Sequence, residues 1–424
     1  MTAARPSPRA STPALLSAAL ALCGAALGAC RAPGEAAHAG AARAATGPAA
    51  GAQGGAADDR RLAQTGAAPA TQAASAAAQA LGLPGSERGA RAALPAAEIQ
   101  RLAGAGERLV YLAGSWSEAQ IEEARRLAPE VEVISGLDVE RALLHAERAQ
   151  AVEAQLLSPA FLERAERLRW VAALSAGVER TLALPGLAQR PDLVITSAKG
   201  VHGPVIAEHV FALLLSHVRG LERHRAAQAR GSWSRDGDGL GSLAGRSVLI
   251  AGLGGIGEQV ALRARAFGMR VLATVRTPRE RPECVDRLET GDQLDSLLPE
   301  AEFLVICLPL TPETEGLFDA RRLALLPRGA YLVNIARGAL VDTAALTAAL
   351  ESGHLSGAGL DVTEPEPLPP GHPLWKLPGV TLTPHVAGRA ELTSSRRWAL
   401  QRENLRRFAR GEALLNVVDP AAGY

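Results

Sequence analysis

The sequence predicts an α/β protein, with parallel sheets covered by helices on both faces, behind an N-terminal segment of different character. Three observations predict it. From about residue 108 onward, short apolar runs of strand length alternate with helical stretches. One of those runs, Ser247-Val248-Leu249-Ile250-Ala251, leads straight into the glycine cluster Gly252-Leu253-Gly254-Gly255-Ile256-Gly257. The first hundred residues differ in composition, and from Arg31 to about Pro95 they are rich in Ala, Gly, Gln and Thr with little periodic apolar content.

The N-terminal segment divides in two. Arg5 and Arg9 precede an uncharged stretch from Ala10 to Cys30 with Leu15, Leu16, Leu20, Leu22 and Leu27 at its core, the layout of a bacterial signal peptide over residues 1–30. Its end, Leu27-Gly28-Ala29-Cys30, resembles a lipobox, which implies cleavage before a lipidated Cys30 and a membrane tether. Residues 31–107 then read as a low-complexity linker that cannot bury enough surface to offset its ordering entropy. A translated upstream region ahead of the true start is the alternative. The first reading makes the protein a membrane-anchored lipoprotein, the second a cytoplasmic one, and both stay open at this point.

The length of 424 residues suits two or three domains. A formal net charge of +1 gives no broad surface for nucleic acid. The four cysteines, Cys23, Cys30, Cys284 and Cys307, show no metal-ligand spacing. Cys307 lies in the apolar run from Phe303 to Leu310 and is expected in a buried strand.

Along the globular part, Leu109 to Ala113 reads as a buried strand, Ser117 to Leu127 as a helix and Val131 to Ile134 as a second strand. Leu168 to Leu174 and Leu193 to Ile195 are further strand segments, and Pro204 to Glu222 reads as one long apolar helix. Within the glycine cluster, Gly252, Gly254 and Gly257 fit G-x-G-x-x-G between a strand and the helix Glu258 to Phe267. There the first glycine permits a tight turn, the second lets backbone approach a pyrophosphate, and the third permits close helix packing. The amides around Gly255 and Ile256 attract the anion. The motif is weak alone and strong in this strand–turn–helix setting, so a dinucleotide is the expected ligand. The next strand, Arg270 to Arg276, ends in Val275-Arg276 where an NAD site usually offers a carboxylate for the ribose hydroxyls. Arg276 suits a 2′-phosphate, which favours NADP over NAD; a solvated loop residue is its bland reading.

Three residues downstream supply a chemistry. Arg337 lies in Val333-Asn334-Ile335-Ala336-Arg337-Gly338, Glu366 in Leu360-Asp361-Val362-Thr363-Glu364-Pro365-Glu366-Pro367, and His385 in Leu382-Thr383-Pro384-His385-Val386-Ala387-Gly388. An Arg grips a carboxylate with its planar fork, a His exchanges one proton near neutral pH, and a Glu beside it holds the ring and favours its charged form. Singly, each residue is more often a cap, a loop imidazole or a surface acid. Behind a dinucleotide loop they form a set for reducing the keto group of an anionic substrate.

Together with Leu174 to Val178, Gly200 to Arg219 containing Ala207-Glu208-His209, and Leu308-Pro309-Leu310-Thr311-Pro312-Glu313-Thr314, these motifs closely resemble the D-isomer-specific 2-hydroxyacid dehydrogenases over about residues 108 to 418. The resemblance implies two Rossmann-like domains: a discontinuous substrate domain of residues 108–199 and 386–424, and an NAD(P)-binding domain of residues 200–385. It implies that Arg337 binds the substrate carboxylate, that His385 is the acid/base, that Glu366 holds and charges His385, and that Asp361 contacts the nicotinamide carboxamide. Backbone amides at Ala176 and Gly177 would hold the other end of the carboxylate. It also implies a homodimer through the helix after Pro204. The substrate would be a small 2-keto or 2-hydroxy acid of the glyoxylate or hydroxypyruvate kind. Formate dehydrogenases of this superfamily pair their His with Gln where this chain has Glu366. Phosphonate dehydrogenases place a Lys in the loop that here reads Leu174-Ser175-Ala176-Gly177, and many phosphoglycerate dehydrogenases append a regulatory domain for which no room follows Phe408. Corepressors share the fold, so a cofactor-dependent dimeric binding module is the alternative function. His209 reads as structural, and Lys199 has no assigned role.

Overall fold

The computed structural model describes residues 99, 101, 108–233 and 239–420. The expected signal peptide, Cys30 and most of the linker lie outside them. Among the described residues, no helix is long and apolar enough to cross a membrane.

The first sheet holds β1 (Leu109–Leu112), β2 (Val131–Ile134), β3 (Ala151–Glu153), β4 (Trp170–Ala172) and β5 (Val194–Thr196), all parallel in the order β2-β1-β3-β4-β5. Between the strands run α1 (Glu118–Leu127), α2 (Val139–Leu143), α3 (Pro159–Arg164) and α4 (Glu179–Leu182). Their starts are chemically marked. Ser117 and Gln120 form a reciprocal capping box on α1, and Asp138 and Ser158 cap α2 and α3. Strand β1 is buried on both faces: Val110 and Leu112 enter one apolar cluster, Leu109 and Tyr111 the other.

A long connection follows, α5 (Gly203–Val218) and α6 (Leu221–Ala229). The sequence reads this as one helix to Glu222. The structure breaks it at Gly220, whose φ of 58° is left-handed and caps α5. Most apolar residues of α5, among them Ile206, Val210, Phe211 and Leu214, belong to the core of the second sheet, while Glu208 and Ala212 are exposed.

The second sheet holds β6 (Ser247–Ala251), β7 (Arg270–Val275), β8 (Arg287–Thr290), β9 (Phe303–Ile306), β10 (Ala330–Asn334), β11 (Leu355–Leu360) and β12 (Val380–Leu382). All pairs are parallel, in the order β12-β11-β10-β9-β6-β7-β8. Its helices are α7 (Gly255–Ala266), α8 (Leu294–Leu297), α9 (Ala320–Leu325) and α10 (Thr343–Glu351). Val248 and Ile250 of β6 enter one core while Leu249 and Ala251 enter the core on the opposite face. Burying such a residue fully contributes roughly 1.5–3 kcal/mol, which is why this strand reads so clearly in sequence. Cys307 is one residue past β9 rather than inside it, because the strand pairing ends at Ile306. Burial pushes its thiol up to about 12.

Helix α11 (Glu391–Arg410) returns to the first sheet. Trp398 donates its indole N–H to Glu123 of α1 at 2.7 Å, Gln401 donates to Tyr111 at 3.1 Å, and Leu405 and Phe408 join the cluster of Tyr111 and Trp170. Glu153, 1% exposed at the end of β3, accepts from Gly114 N, Trp116 Nε1, Gln155 Nε2 and Gln401 Nε2, so a buried carboxylate is satisfied by four donors.

Candidate active site

Reversal of strand order puts the carboxyl ends of β6 and β9 side by side, the place where open α/β sheets bind ligands. The glycine turn sits there. Gly252 has φ 99°, and a Cβ on it would lie 2.9 Å from Cys307 O. A Cβ on Gly257 would lie 2.3 Å from Gly252 O, so the helix start folds back onto the turn without room for a side chain. Gly254 is different: nothing lies within 4 Å of where its Cβ would be, so its face is open. An open glycine immediately before the N-terminus of twelve-residue α7 fits the pyrophosphate of a dinucleotide. Thr274 steadies the turn, its hydroxyl accepting from Gly252 N at 3.1 Å and its carbonyl from Leu253 N at 2.7 Å. Arg279, which sequence reading passed over, donates to Leu253 O and pairs with Glu258, both at 2.8 Å, and so lies over the turn. Arg276 is exposed just past β7.

Arg337 follows β10, and its backbone is braced from below. The amide of Asn334 donates to Arg337 O at 2.8 Å, and its carbonyl accepts from Ala336 N at 3.1 Å. Gly338 next door has no space for a Cβ, which would sit 2.0 Å from Thr363 C and O. That close approach joins the Arg337 turn to the loop carrying Glu366. The Thr363 and Thr343 hydroxyls hold this loop by donating to Pro365 O at 2.9 Å and Glu364 O at 2.8 Å.

His385 and Glu366 are brought together: Nδ1 lies 2.8 Å from Oε1. The pair is about half exposed, at 49% and 44%. His385 has φ 52°, a left-handed value that costs a non-glycine residue on the order of 1 kcal/mol and persists only when the surroundings impose it. Asp361 imposes it. Its carbonyl accepts from His385 N at 2.9 Å. Its carboxylate, 2% exposed, accepts from Val386 N and Ala387 N at 2.9 Å and from the Thr383 hydroxyl at 2.6 Å. The Asp361 side chain expected at the nicotinamide thus holds the loop of His385. His209 of α5 extends this network, its Nε2 lying 3.0 Å from Thr383 Oγ1. The histidine read as structural is tied to the site through one hydroxyl. His202 packs on the same loop, 3.1 Å from where a Gly388 Cβ would be, and burial, with Arg397 second, pushes its imidazole down to about 4.

The turn at Ala176 and Gly177 meets Arg337 directly. A Cβ on Gly177 would lie 1.8 Å from Arg337 Nη2 and 2.6 Å from Glu179 Oε2. Arg337 Nη2 is 3.3 Å from Glu179 Oε2, and both side chains are a third exposed. Glu179 was not among the candidates from sequence, because a partner 158 positions away leaves no local signal. The Ser175 hydroxyl donates to Gly177 O at 2.6 Å and closes the turn.

The family model described as D-isomer specific 2-hydroxyacid dehydrogenase, NAD binding domain, matches residues 211–387. A glyoxylate reductase of Korarchaeum cryptofilum is 37% identical over 264 residues, 61% of this chain and 78% of the relative. The chain belongs to the D-isomer-specific 2-hydroxyacid dehydrogenases. It is accordingly an NAD(P)-dependent oxidoreductase. Two solved structures are similar over about three quarters of this chain. A D-isomer specific 2-hydroxyacid dehydrogenase from Xanthobacter autotrophicus Py2, in complex with NADPH and MES, is 34% identical with a TM-score of 0.64, covering 74% of this chain and 99% of that one. An NADPH-dependent glyoxylate/hydroxypyruvate reductase from Sinorhizobium meliloti, in complex with NADP and sulfate, is 31% identical with a TM-score of 0.63, covering 75% and 100%. Within this 2-hydroxyacid dehydrogenase, the motifs for the turn, the guanidinium, the carboxylate and the imidazole all follow strands of the second sheet, and the Ala176–Gly177 turn of the first sheet meets them at Arg337.

Proposed function

We propose that this dehydrogenase reduces a small 2-keto acid of the glyoxylate or hydroxypyruvate kind, with NADPH favoured over NADH. The single observation that carries the reading is the 2.8 Å hydrogen bond from His385 Nδ1 to Glu366, which leaves Nε2 as the atom able to exchange a proton with substrate. A nicotinamide coenzyme held at the Gly252–Gly257 turn would supply the hydride for the keto carbon. His385 Nε2 gives its proton to the keto oxygen, and takes it back in the oxidative direction. Glu366 orients the ring. Arg337 holds the substrate carboxylate by charge-assisted hydrogen bonds, with the Ala176 and Gly177 amides at its other end. Asp361 keeps the His385 loop in place beside the nicotinamide site.

Arg276, standing where a carboxylate would repel a 2′-phosphate, supports NADPH, as do the relatives that carry it. A homodimer through α5 is part of the same proposal. The binding-module alternative gains no support, since these relatives are described as reductases or dehydrogenases. The test is NADPH and NADH oxidation by the purified protein with glyoxylate, hydroxypyruvate and longer 2-keto acids. NADPH-preferring turnover of a short acid is expected, and coenzyme binding without turnover of any acid overturns the proposal.

A further inference from the structure

We infer that Glu179 is a built-in competitor for the substrate carboxylate, occupying Arg337 at the Gly177 turn until a keto acid displaces it. The inference rests on the proposed role of Arg337. Glu179 opens α4 on the first sheet, and Arg337 follows β10 on the second, so the pair spans the two. Its Oε2 lies 3.3 Å from Arg337 Nη2, and both atoms crowd the same absent Cβ of Gly177. That is where a substrate carboxylate, held between Arg337 and the Ala176 and Gly177 amides, belongs. The side chain of Glu179 offers the same chemical group to the same guanidinium.

Two features make the contact exchangeable. Both partners are 34% exposed, so water can take over either charge as the pair opens. A fully buried pair would instead leave an uncompensated charge and stay shut. The remaining Arg337 contact, Nη1 donating to its own Ala336 O at 2.7 Å, holds the arm without filling the side that faces Glu179. Once displaced, Glu179 stays near the bound carboxylate and repels it. Both effects weaken substrate binding. Neither bears on proton or hydride transfer, because the carboxylate keeps its charge throughout the reaction.

The test is Glu179→Gln, which keeps shape and removes charge, with Glu179→Asp, whose shorter arm withdraws the charge from the guanidinium. Exposed ion pairs of this kind correspond to roughly two- to fivefold in affinity. KM for the keto acid falls about threefold in the Gln variant and less in the Asp variant, with kcat and NADPH affinity unchanged. The dissociation constant of oxamate, measured calorimetrically on the NADPH-saturated protein, falls in step. A KM and an oxamate constant that rise, or stay put, overturn the inference; a rise would make Glu179 a positioning residue for Arg337. Oxamate binding does not require turnover. Wild type that binds oxamate more weakly than Glu179→Gln but reduces no keto acid would therefore sink the proposed reaction and leave the competition standing.

Discussion

Gly177→Ala puts a methyl carbon 1.8 Å from Arg337 Nη2 and 2.6 Å from Glu179 Oε2, where ordinary contact begins at 3.4 Å. The guanidinium must retreat by roughly 1.5 Å, and such a misplacement of a positioning group costs on the order of a hundredfold in rate. The backbone cannot share the movement, because Asn334 bonds it on two sides and Gly338 is pressed against Thr363. With Arg337 in its proposed role, the grip lost on the substrate carboxylate is a charged hydrogen bond worth about 1.5–3 kcal/mol, which corresponds to about ten- to a hundredfold in kcat/KM. Stability should change little. Gly177 is not in the left-handed region, and the atoms that its Cβ meets are the far ends of flexible side chains. Steady-state kinetics with glyoxylate and a calorimetric melt read the two quantities together. A kcat/KM within threefold of wild type would refute the placement of Arg337. A large fall in Tm would show that Gly177 serves the fold instead.

Two further expectations follow from single residues. Arg276→Ala should weaken NADPH about tenfold by loss of a charged contact while leaving NADH unchanged, as read by fluorescence titration; equal weakening of both coenzymes would remove Arg276 from the 2′-phosphate. His202, held at about 4 chiefly by burial, stays neutral in the folded protein, whereas the unfolded chain takes up a proton below about 6.5. Stability on its account is therefore whole above pH 6.5 and is lost as pH falls toward 4, by about 3 kcal/mol in all. Denaturant unfolding at pH 7 and pH 4 should show His202→Gln losing less than wild type by that amount, and parallel losses would contradict the assignment.

The fold was legible where physics acts locally. β6 is apolar from Val248 to Ala251 and ends in a turn whose Gly252 and Gly257 leave no room for a side chain. β8, Arg-Leu-Glu-Thr at the sheet edge, is half exposed and carries its charges in ion pairs, so no apolar run marks it. β3 is three residues long, and the burial of its Glu153 depends on donors as distant as Gln401. The break at Gly220 hid in an otherwise apolar helix because glycine there serves as a cap, not as a packing residue. At the site, Arg337, Glu366, His385 and the glycine turn stood in motifs. The Glu179 partner of Arg337, the Arg279 contact with Leu253 O and the hold of Asp361 on the His385 loop arise between groups far apart in the chain, and only the folded protein reveals them.

In the proposed reaction, Nε2 of His385 carries the proton while Glu366 holds Nδ1. The most direct test is NADPH consumption with glyoxylate by His385→Asn beside wild type, with NADPH affinity measured on both. Turnover should fall at least a hundredfold, the scale of one acid/base group, while the coenzyme binds as before. Turnover within a few-fold of wild type would contradict it, whatever becomes of the other residues.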